Sequence, residues 1–121
     1  MKAHDYGRLA EGAAASFLTG LGYRLVTANY RCRVGEIDLI AWDGEVLVFV
    51  EVKARRRDGT GAAIEAIDRR KVRRLRAVAD HYLAARFRGR EPPCRFDAVL
   101  AGPGRDGVSM VERMVLVRGV Y

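Results

Sequence analysis

Residues 35–54 follow the period of β-strands on both sides of the dipeptide Asp43-Gly44. The flanking stretches, GEIDLIAW and EVLVFVEVKA, are rich in Ile, Leu and Val. An Asp-Gly pair tolerates positive φ, so the pattern predicts two strands joined by a tight turn centred on this dipeptide. This register places Asp38 opposite Phe49.

Two other segments have apolar residues at helical spacing. The first helix is predicted to begin near Asp5 and to end at the glycines that follow residue 19. Its apolar stripe consists of Leu9, Ala13, Phe17 and Leu21. The second helix is predicted over residues 62–86, before the helix-breaking sequence GREPP. Its apolar stripe consists of Ile64, Ile67, Leu75, Val78 and Tyr82.

The remaining apolar segments predict three more strands. They are residues 23–28, RFDAVLA, and part of VSMVERMVLVRGVY, while residues 29–33 are interpreted as a connection. The predicted order is therefore α-β-β-β-α-β-β. It indicates a single α/β domain over residues 1–121 with a central mixed sheet.

Composition agrees with a globular protein of this size. The 121 residues are 50% hydrophobic and 31% charged, and no apolar run approaches the roughly 20 residues of a membrane helix. The beginning of the chain also lacks a signal-peptide pattern, so we expect a cytoplasmic protein without a membrane partner. The net charge of +7 favours polyanions such as nucleic acid. Cys32 and Cys94 are isolated, which argues against a zinc site and against a disulfide framework.

Four charged residues interrupt the apolar pattern of the predicted hairpin: Glu36, Asp38, Glu51 and Lys53. The predicted register places Glu36 opposite Glu51, and residues two apart on a strand point the same way, so Asp38, Glu51 and Lys53 converge on one face. Carboxylates across a ladder repel one another, and folding alone gives no reason to gather them. A divalent cation such as Mg²⁺ or Mn²⁺ would remove the conflict, because hard cations take carboxylate, water and phosphate oxygens as ligands.

A structural interpretation of the same residues also exists. Edge strands often carry charges that prevent edge-to-edge pairing, and Lys53 could then pair with Asp38 or Glu36 on an exposed face. Lysine usage favours the metal site, since only Lys2, Lys53 and Lys71 among 22 Lys+Arg residues are lysine. An ammonium beside a phosphodiester can stabilise developing charge or, with a lowered pKa, help to deprotonate water.

Basic residues cluster close to this hairpin in the sequence. Lys71 falls on the apolar stripe of the second helix, where its stem could lie along the core surface or its ammonium could reach a phosphate. The candidate phosphate contacts are Lys71 with Arg55, Arg56, Arg57, Arg70 and Arg74, and Arg69, Arg73 and Arg76 lie beside them. Such residues position a nucleic acid without reading its sequence. Arginines on a helix can also form an ordinary solvated face.

GEIDLIA followed by VFVEVKARR resembles the core of the PD-(D/E)XK nuclease superfamily, in which the Asp and the E-x-K form a metal site. The wider order of motifs is similar to the YraN family of uncharacterised endonuclease-like proteins over nearly the whole chain. Those motifs are a helix with A-E-G, then LGYRLVTANYR, the hairpin, a helix with Lys71, and RFDAVL. The chain resembles archaeal Holliday junction resolvases more distantly. The resemblance therefore implies a restriction-endonuclease-like core.

The resemblance also implies roles for individual residues. Asp38 and Glu51 would be metal ligands, Lys53 the catalytic lysine, and Glu11 the helix-borne acid that positions a ligand water. Glu36 belongs to the G-E-I-D signature, and no catalytic role is implied for it. The last strand departs from the family pattern, because VERMVLVRGVY stands where a histidine and a terminal Asn-Ala-Phe are usual.

The sequence thus predicts a Mg²⁺- or Mn²⁺-dependent DNA endonuclease, with branched or junction DNA among its candidate substrates. Branched substrates would suit a homodimer, although no residue pattern marks its surface. The alternative is a module that keeps the nuclease-like fold and binds nucleic acid or a protein partner without turnover.

Overall fold

The computed structural model describes the backbone of residues 3–54, 69–102 and 113–117, and the side chains of residues 10–53 and 70–100. Its elements in chain order are α1 (Ala3–Gly20), β1 (Arg24–Cys32), β2 (Gly35–Asp43), β3 (Val46–Ala54), α2 (Arg69–Phe87), β4 (Cys94–Gly102) and β5 (Arg113–Val117). This is the predicted order α-β-β-β-α-β-β.

The five described strands form one mixed sheet in the spatial order β1-β2-β3-β4-β5. Neighbouring strands are antiparallel except for β3 and β4, which pair in parallel from Leu47 and Cys94 to Ala54 and Ala101. A parallel pair needs a crossover, and the segment that contains α2 supplies it. The predicted α/β fold with a central mixed sheet is confirmed.

One face of the sheet packs against α2. Ile40 and Phe49 from the sheet share a buried core with Leu75, Val78 and Tyr82 from the helix. These three helix residues belong to the predicted apolar stripe. Its other members, Ile64 and Ile67, lie outside the described residues. Within the part of the chain that the structure describes, no helix is both long and apolar enough to cross a membrane.

The other face packs against α1, and here the predicted stripe is wrong by one residue. The buried positions are Ala10, Ala14 and Leu18, at 2%, 0% and 1% exposure, whereas Leu21 follows the helix and is 51% exposed. Small alanines let the helix backbone lie close to the sheet, which explains why this stripe wins over the larger side chains. The helix also begins at Ala3, slightly before the predicted start near residue 5.

The β2–β3 turn differs from the prediction as well. Asp43 pairs with Val46, so Gly44 and Glu45 are the central residues, and Gly44 has a φ of 60°. The partner of each β2 residue is therefore two residues further along β3 than predicted. Since side chains alternate with a period of two, this shift keeps the predicted faces of residues 39–43, the part of β2 that pairs with β3.

Strand β1 is longer than predicted. Residues 29–32 were predicted to begin a connection, yet they pair with β2 as far as Cys32 and Gly35. The edge strand is irregular, with a register shift between Leu25 and Thr27 and a left-handed φ of 54° at Asn29. These irregularities interrupt the alternation of side chains expected of a strand, so only the pairing with β2 shows that β1 continues to Cys32. Cys32 and Cys94 are both free thiols.

Candidate functional site

Asp38 lies where the β2–β3 ladder ends. The described pairing runs from the turn to Leu39 and Val50, one residue short of Asp38. Beyond that point the hydrogen-bond acceptor on β2 is a side chain: the Val52 N–H of β3 donates to Asp38 Oδ2 at 2.8 Å. Ile37 packs in the core beneath α2, whereas Leu39 packs in the core beneath α1. The regular alternation of faces is therefore interrupted at Asp38.

The environment of Asp38 disfavours its ionised form. Burial and the adjacent Glu51 carboxylate raise the pKa of Asp38 from 3.8 to about 7, against the opposing hydrogen bond from Val52. Glu11 and Glu36 raise it further by smaller amounts. Without a cation, this site holds more carboxylate charge than its surroundings stabilise.

Glu51 is in contact with two lysines from different elements. Lys53 Nζ, from the same strand, lies 3.2 Å from Glu51 Oε1, and Lys71 Nζ, from α2, lies 3.0 Å from the same oxygen. The side chains of Glu51, Lys53 and Lys71 are 10%, 28% and 27% exposed. The predicted alternatives for Lys53 were pairs with Asp38 or Glu36, and its ion pair is with Glu51 instead.

The two lysines have pKa changes of opposite sign. Burial lowers the pKa of Lys71, and the neighbouring Lys53 lowers it further, although Glu51 opposes both effects. Burial also disfavours charged Lys53, but its hydrogen bond with Lys71 and the Glu51 charge outweigh burial, so the pKa of Lys53 is raised. A lowered pKa was the condition for Lys53 to deprotonate water, and that condition falls on Lys71.

A cavity of about 480 Å³ opens beside these residues. Asp38 and Glu51 line it together with three cationic side chains, Arg31, Lys71 and Arg74. Carboxylates and cations at one concave surface could hold a metal ion and a phosphate side by side.

Gly35 lets α2 approach this cavity closely. Its φ is +153°, and a Cβ at this position would lie 3.2 Å from the Arg74 side chain and 3.2 Å from Val78 Cγ2. A glycine therefore fits where the helix crosses the start of β2. Lys71 lies about one turn before Arg74, so this close crossing brings its ammonium to Glu51.

Of the two other carboxylates predicted from the sequence, Glu36 lines the same cavity and Glu11 is on α1. Glu36 Oε2 accepts a hydrogen bond from Arg31 Nε at 2.6 Å, and these residues are direct partners in the β1–β2 ladder. The prediction that Glu36 faces Glu51 is thus replaced by an exposed ion pair at the sheet edge. Glu11 is half-buried on α1, and its negative charge raises the pKa of Asp38 by a smaller amount than Glu51 does.

The predicted phosphate contacts are only partly described. Arg70 and Arg74 are exposed on α2, and Arg74 lines the cavity. The predicted contacts at residues 55–57 lie outside the described residues.

The donor set of the site fits a hard cation that needs few protein ligands. No group of three or more His, Cys, Asp and Glu side chains that could hold a metal ion occurs among the residues that the structure describes. Asp38 and Glu51 supply two carboxylates. Mg²⁺ uses one or two carboxylates, with water and phosphate oxygens in its remaining positions. Burial is the largest cause of the raised pKa of Asp38 and repulsion from Glu51 the second, and a bound cation would offset both by stabilising the ionised form.

A second polar cluster, which was not predicted from the sequence, lies on the α1 face. Asp97 is fully buried, and Arg95 donates to both of its oxygens at 2.8 and 2.9 Å. Arg95 Nη2 also donates to Tyr23 Oη and to Asp43 Oδ2. Arg95 and Asp97 are two residues apart within RFDAVLA, so the period of a strand could have revealed that they share a face.

Comparison with known proteins finds one matching family model and several similar proteins. The family model described as "Uncharacterised protein family UPF0102" matches residues 10–101. A UPF0102 protein of Symbiobacterium thermophilum is 55% identical over 101 residues, which cover 84% of this chain and 85% of the relative. UPF0102 proteins of Moorella thermoacetica and Alcanivorax borkumensis are each 47% identical, over 95% and 77% of this chain and 93% and 74% of their own length.

Proposed function

Since this chain belongs to the uncharacterised protein family UPF0102, whose description names no activity, we propose its function from the site: a divalent-metal-dependent endonuclease that hydrolyses phosphodiester bonds in DNA. The resemblance of its hairpin to PD-(D/E)XK nucleases supports the same reaction. Branched or junction DNA is the substrate class that we propose to test first.

One observation carries this proposal. Asp38, Glu51 and Lys71 line a single cavity and Lys53 pairs with Glu51, although burial and the Glu51 carboxylate raise the pKa of Asp38. Such an arrangement destabilises the folded protein unless a cation or a substrate uses it. Function is therefore a better reason for the arrangement than folding.

The proposed roles follow from the chemistry of each side chain. Asp38 and Glu51 would hold the metal, with Glu11 in support. Bound there, Mg²⁺ or Mn²⁺ would supply positive charge that acidifies an attacking water and polarises the phosphate. Lys53 would stabilise negative charge on the phosphate as a P–O ester bond breaks. The basic residues of α2 would hold flanking phosphates of the nucleic acid.

A second candidate function is a module that binds DNA or a protein partner without turnover. The observation in its favour is that Glu51 already forms ion pairs with two ammonium groups, those of Lys53 and Lys71. A carboxylate neutralised in this way can belong to a site that no longer takes a metal.

Cleavage assays with a matched control test the proposal. Four-way junctions, flaps and linear duplexes are incubated with Mg²⁺, Mn²⁺ or Ca²⁺ and with wild-type protein, Asp38→Asn or Glu45→Gln. Glu45 is an exposed carboxylate at the turn of the same hairpin, so its substitution removes the same charge away from the site. We expect cleavage with Mg²⁺ or Mn²⁺ by the wild type and by Glu45→Gln, and none by Asp38→Asn.

Two other outcomes would change the conclusion. Cleavage that survives Asp38→Asn would mean that other residues or a contaminant carry the reaction. No cleavage of any substrate, together with no divalent-ion binding by calorimetry, would favour the binding module.

A further inference from the structure

Two ammonium groups contact one carboxylate oxygen at this site, which is an unusual concentration of cations. Lys53 and Lys71 both approach Glu51 Oε1 within 3.2 Å, and Glu51 is the least exposed of the three side chains. One of the two oxygens with which Glu51 could coordinate a metal therefore already contacts the protein's own cations.

A divalent cation cannot simply be added to this arrangement. At bonding distance from Glu51 it would lie within a few ångströms of both ammonium groups, and like charges at that distance repel strongly in a partly buried site. Metal binding at Glu51 therefore competes with the two ammonium groups, and it is favoured when one lysine moves away from Oε1.

Lys71 is the lysine that is better placed to move. Lys53 is on the same strand as Glu51, two residues away, so their backbone positions are fixed relative to each other. Lys71 is on a separate element and lines the cavity beside Arg74, whereas Lys53 is absent from the described lining of this cavity. The four-carbon stem of Lys71 lets its ammonium move from Glu51 towards a phosphate in the cavity while the helix stays in place.

We propose that Lys71 is a resident cation that pairs with Glu51 in the metal-free protein and transfers to a phosphate of bound DNA when a divalent cation takes its place. This inference rests on the proposed function. Its consequence is cooperative loading, because DNA that attracts Lys71 frees Glu51 for the metal and the metal in turn releases Lys71 for DNA. By linkage, the two ligands strengthen each other's binding by the same factor.

Calorimetric titration with Mn²⁺, without DNA, tests the first half of this exchange. The variants are Lys71→Met and Lys71→Gln, which remove the ammonium, and Lys71→Arg, which keeps a cation. Arg76→Met is the control, since it removes one exposed positive charge from the same helix away from Glu51. We expect both neutral variants to bind Mn²⁺ at least about fivefold more tightly than wild type, and Lys71→Arg and Arg76→Met to bind it no more tightly.

Titration of DNA with and without Ca²⁺ tests the second half. We expect Ca²⁺ to strengthen DNA binding by the wild type about 5- to 150-fold, and to do so by a smaller factor for Lys71→Met. Thermal unfolding of each variant verifies that it is folded before its affinities are compared.

The outcomes separate this inference from the proposed function. If the wild type binds Mn²⁺ and the folded neutral variants bind it equally or more weakly, the exchange is wrong and the metal site stands. If the metal–DNA coupling is unchanged in Lys71→Met, the exchange is likewise overturned. If neither the wild type nor any variant binds Mn²⁺, the metal site and the exchange both fail.

Discussion

Replacing Asp38 by Asn should stabilise the protein at neutral and alkaline pH while removing the proposed activity. The Asn side chain cannot ionise, and its oxygen can still accept the hydrogen bond from the Val52 N–H. The substitution therefore removes the charge that burial and the neighbouring carboxylates disfavour and keeps the local geometry.

The magnitude follows from the pKa of Asp38. Each pKa unit is worth about 1.4 kcal/mol, so a carboxyl group raised from 3.8 to about 7 destabilises the folded state by up to about 4 kcal/mol once it ionises. Partial access of solvent to the site reduces this value, and we expect about 2 to 3 kcal/mol.

The sign of the pH dependence is fixed by the raised pKa. Below about pH 4 the group is protonated in both the folded and the unfolded state and contributes no difference. Between about pH 4 and pH 7 the folded state binds more protons than the unfolded state, so wild-type stability falls as pH rises. Above about pH 7 the contribution is constant. The advantage of Asp38→Asn should therefore grow across this interval and then level off.

Urea denaturation in EDTA at several pH values between about 4.5 and 8.5 measures this difference. The carboxylates that face Asp38 are Glu51 from β3, Glu11 from α1 and Glu36 from β2, and all three are unchanged in the variant. Glu45→Gln at the exposed turn is the control, and its difference from wild type should stay small throughout. An advantage of Asp38→Asn that is equal at pH 5 and pH 8 would refute the raised pKa.

Four further predictions concern other parts of the molecule. Gly35→Ala should lower the free energy of unfolding by about 1–3 kcal/mol in urea denaturation, because the positive φ disfavours a Cβ that also meets α2. Gly44→Asn should have a smaller effect, since Asn tolerates the left-handed φ and no neighbour lies within 4 Å. Arg95→Leu should lower it by about 3–5 kcal/mol by leaving the buried Asp97 charge without its cation, and a change below 1 kcal/mol would contradict that role. Alanine at residues 55–57 should make the salt dependence of DNA binding shallower by about three units in log K against log salt, whereas an unchanged slope would remove these arginines from the interface.

The fold could be predicted where the local pattern and the tertiary structure agree. The continuous apolar run of β3, which is buried on both faces, and the apolar stripe of α2 both reflect burial that the final fold provides. The turn could not be predicted from Asp-Gly alone, because Asp43 remains in the ladder and Arg95 on β4 holds its carboxylate at 2.9 Å. That contact depends on a strand about 50 residues away in the sequence, so no local signal reports it.

The site was predictable to a similar extent. Glu51 and Lys53 share one side of a strand because of the strand period alone. Asp38 lies beyond the described β2–β3 pairing, where the alternation of faces is interrupted, and it lines the same cavity as Glu51. The contact of Lys71 with Glu51 depends on how α2 crosses the sheet at Gly35, which is a tertiary property. The sequence offered a phosphate contact or a core-covering stem for Lys71, and the structure adds an ion pair within the site.

Two buried aspartates in this chain have opposite surroundings, and the contrast bears on their purpose. Asp97 is fully buried, yet Arg95 donates to both of its oxygens and Tyr23 Oη donates to Oδ2. The fold thus surrounds a structural carboxylate with donors, including a cation. Asp38 has no ion pair among the described residues and accepts one backbone hydrogen bond, and burial together with the neighbouring carboxylates raises its pKa. The same sheet that satisfies Asp97 so completely leaves Asp38 in a repulsive environment beside an open cavity, which is the arrangement expected of a carboxylate that awaits a cation.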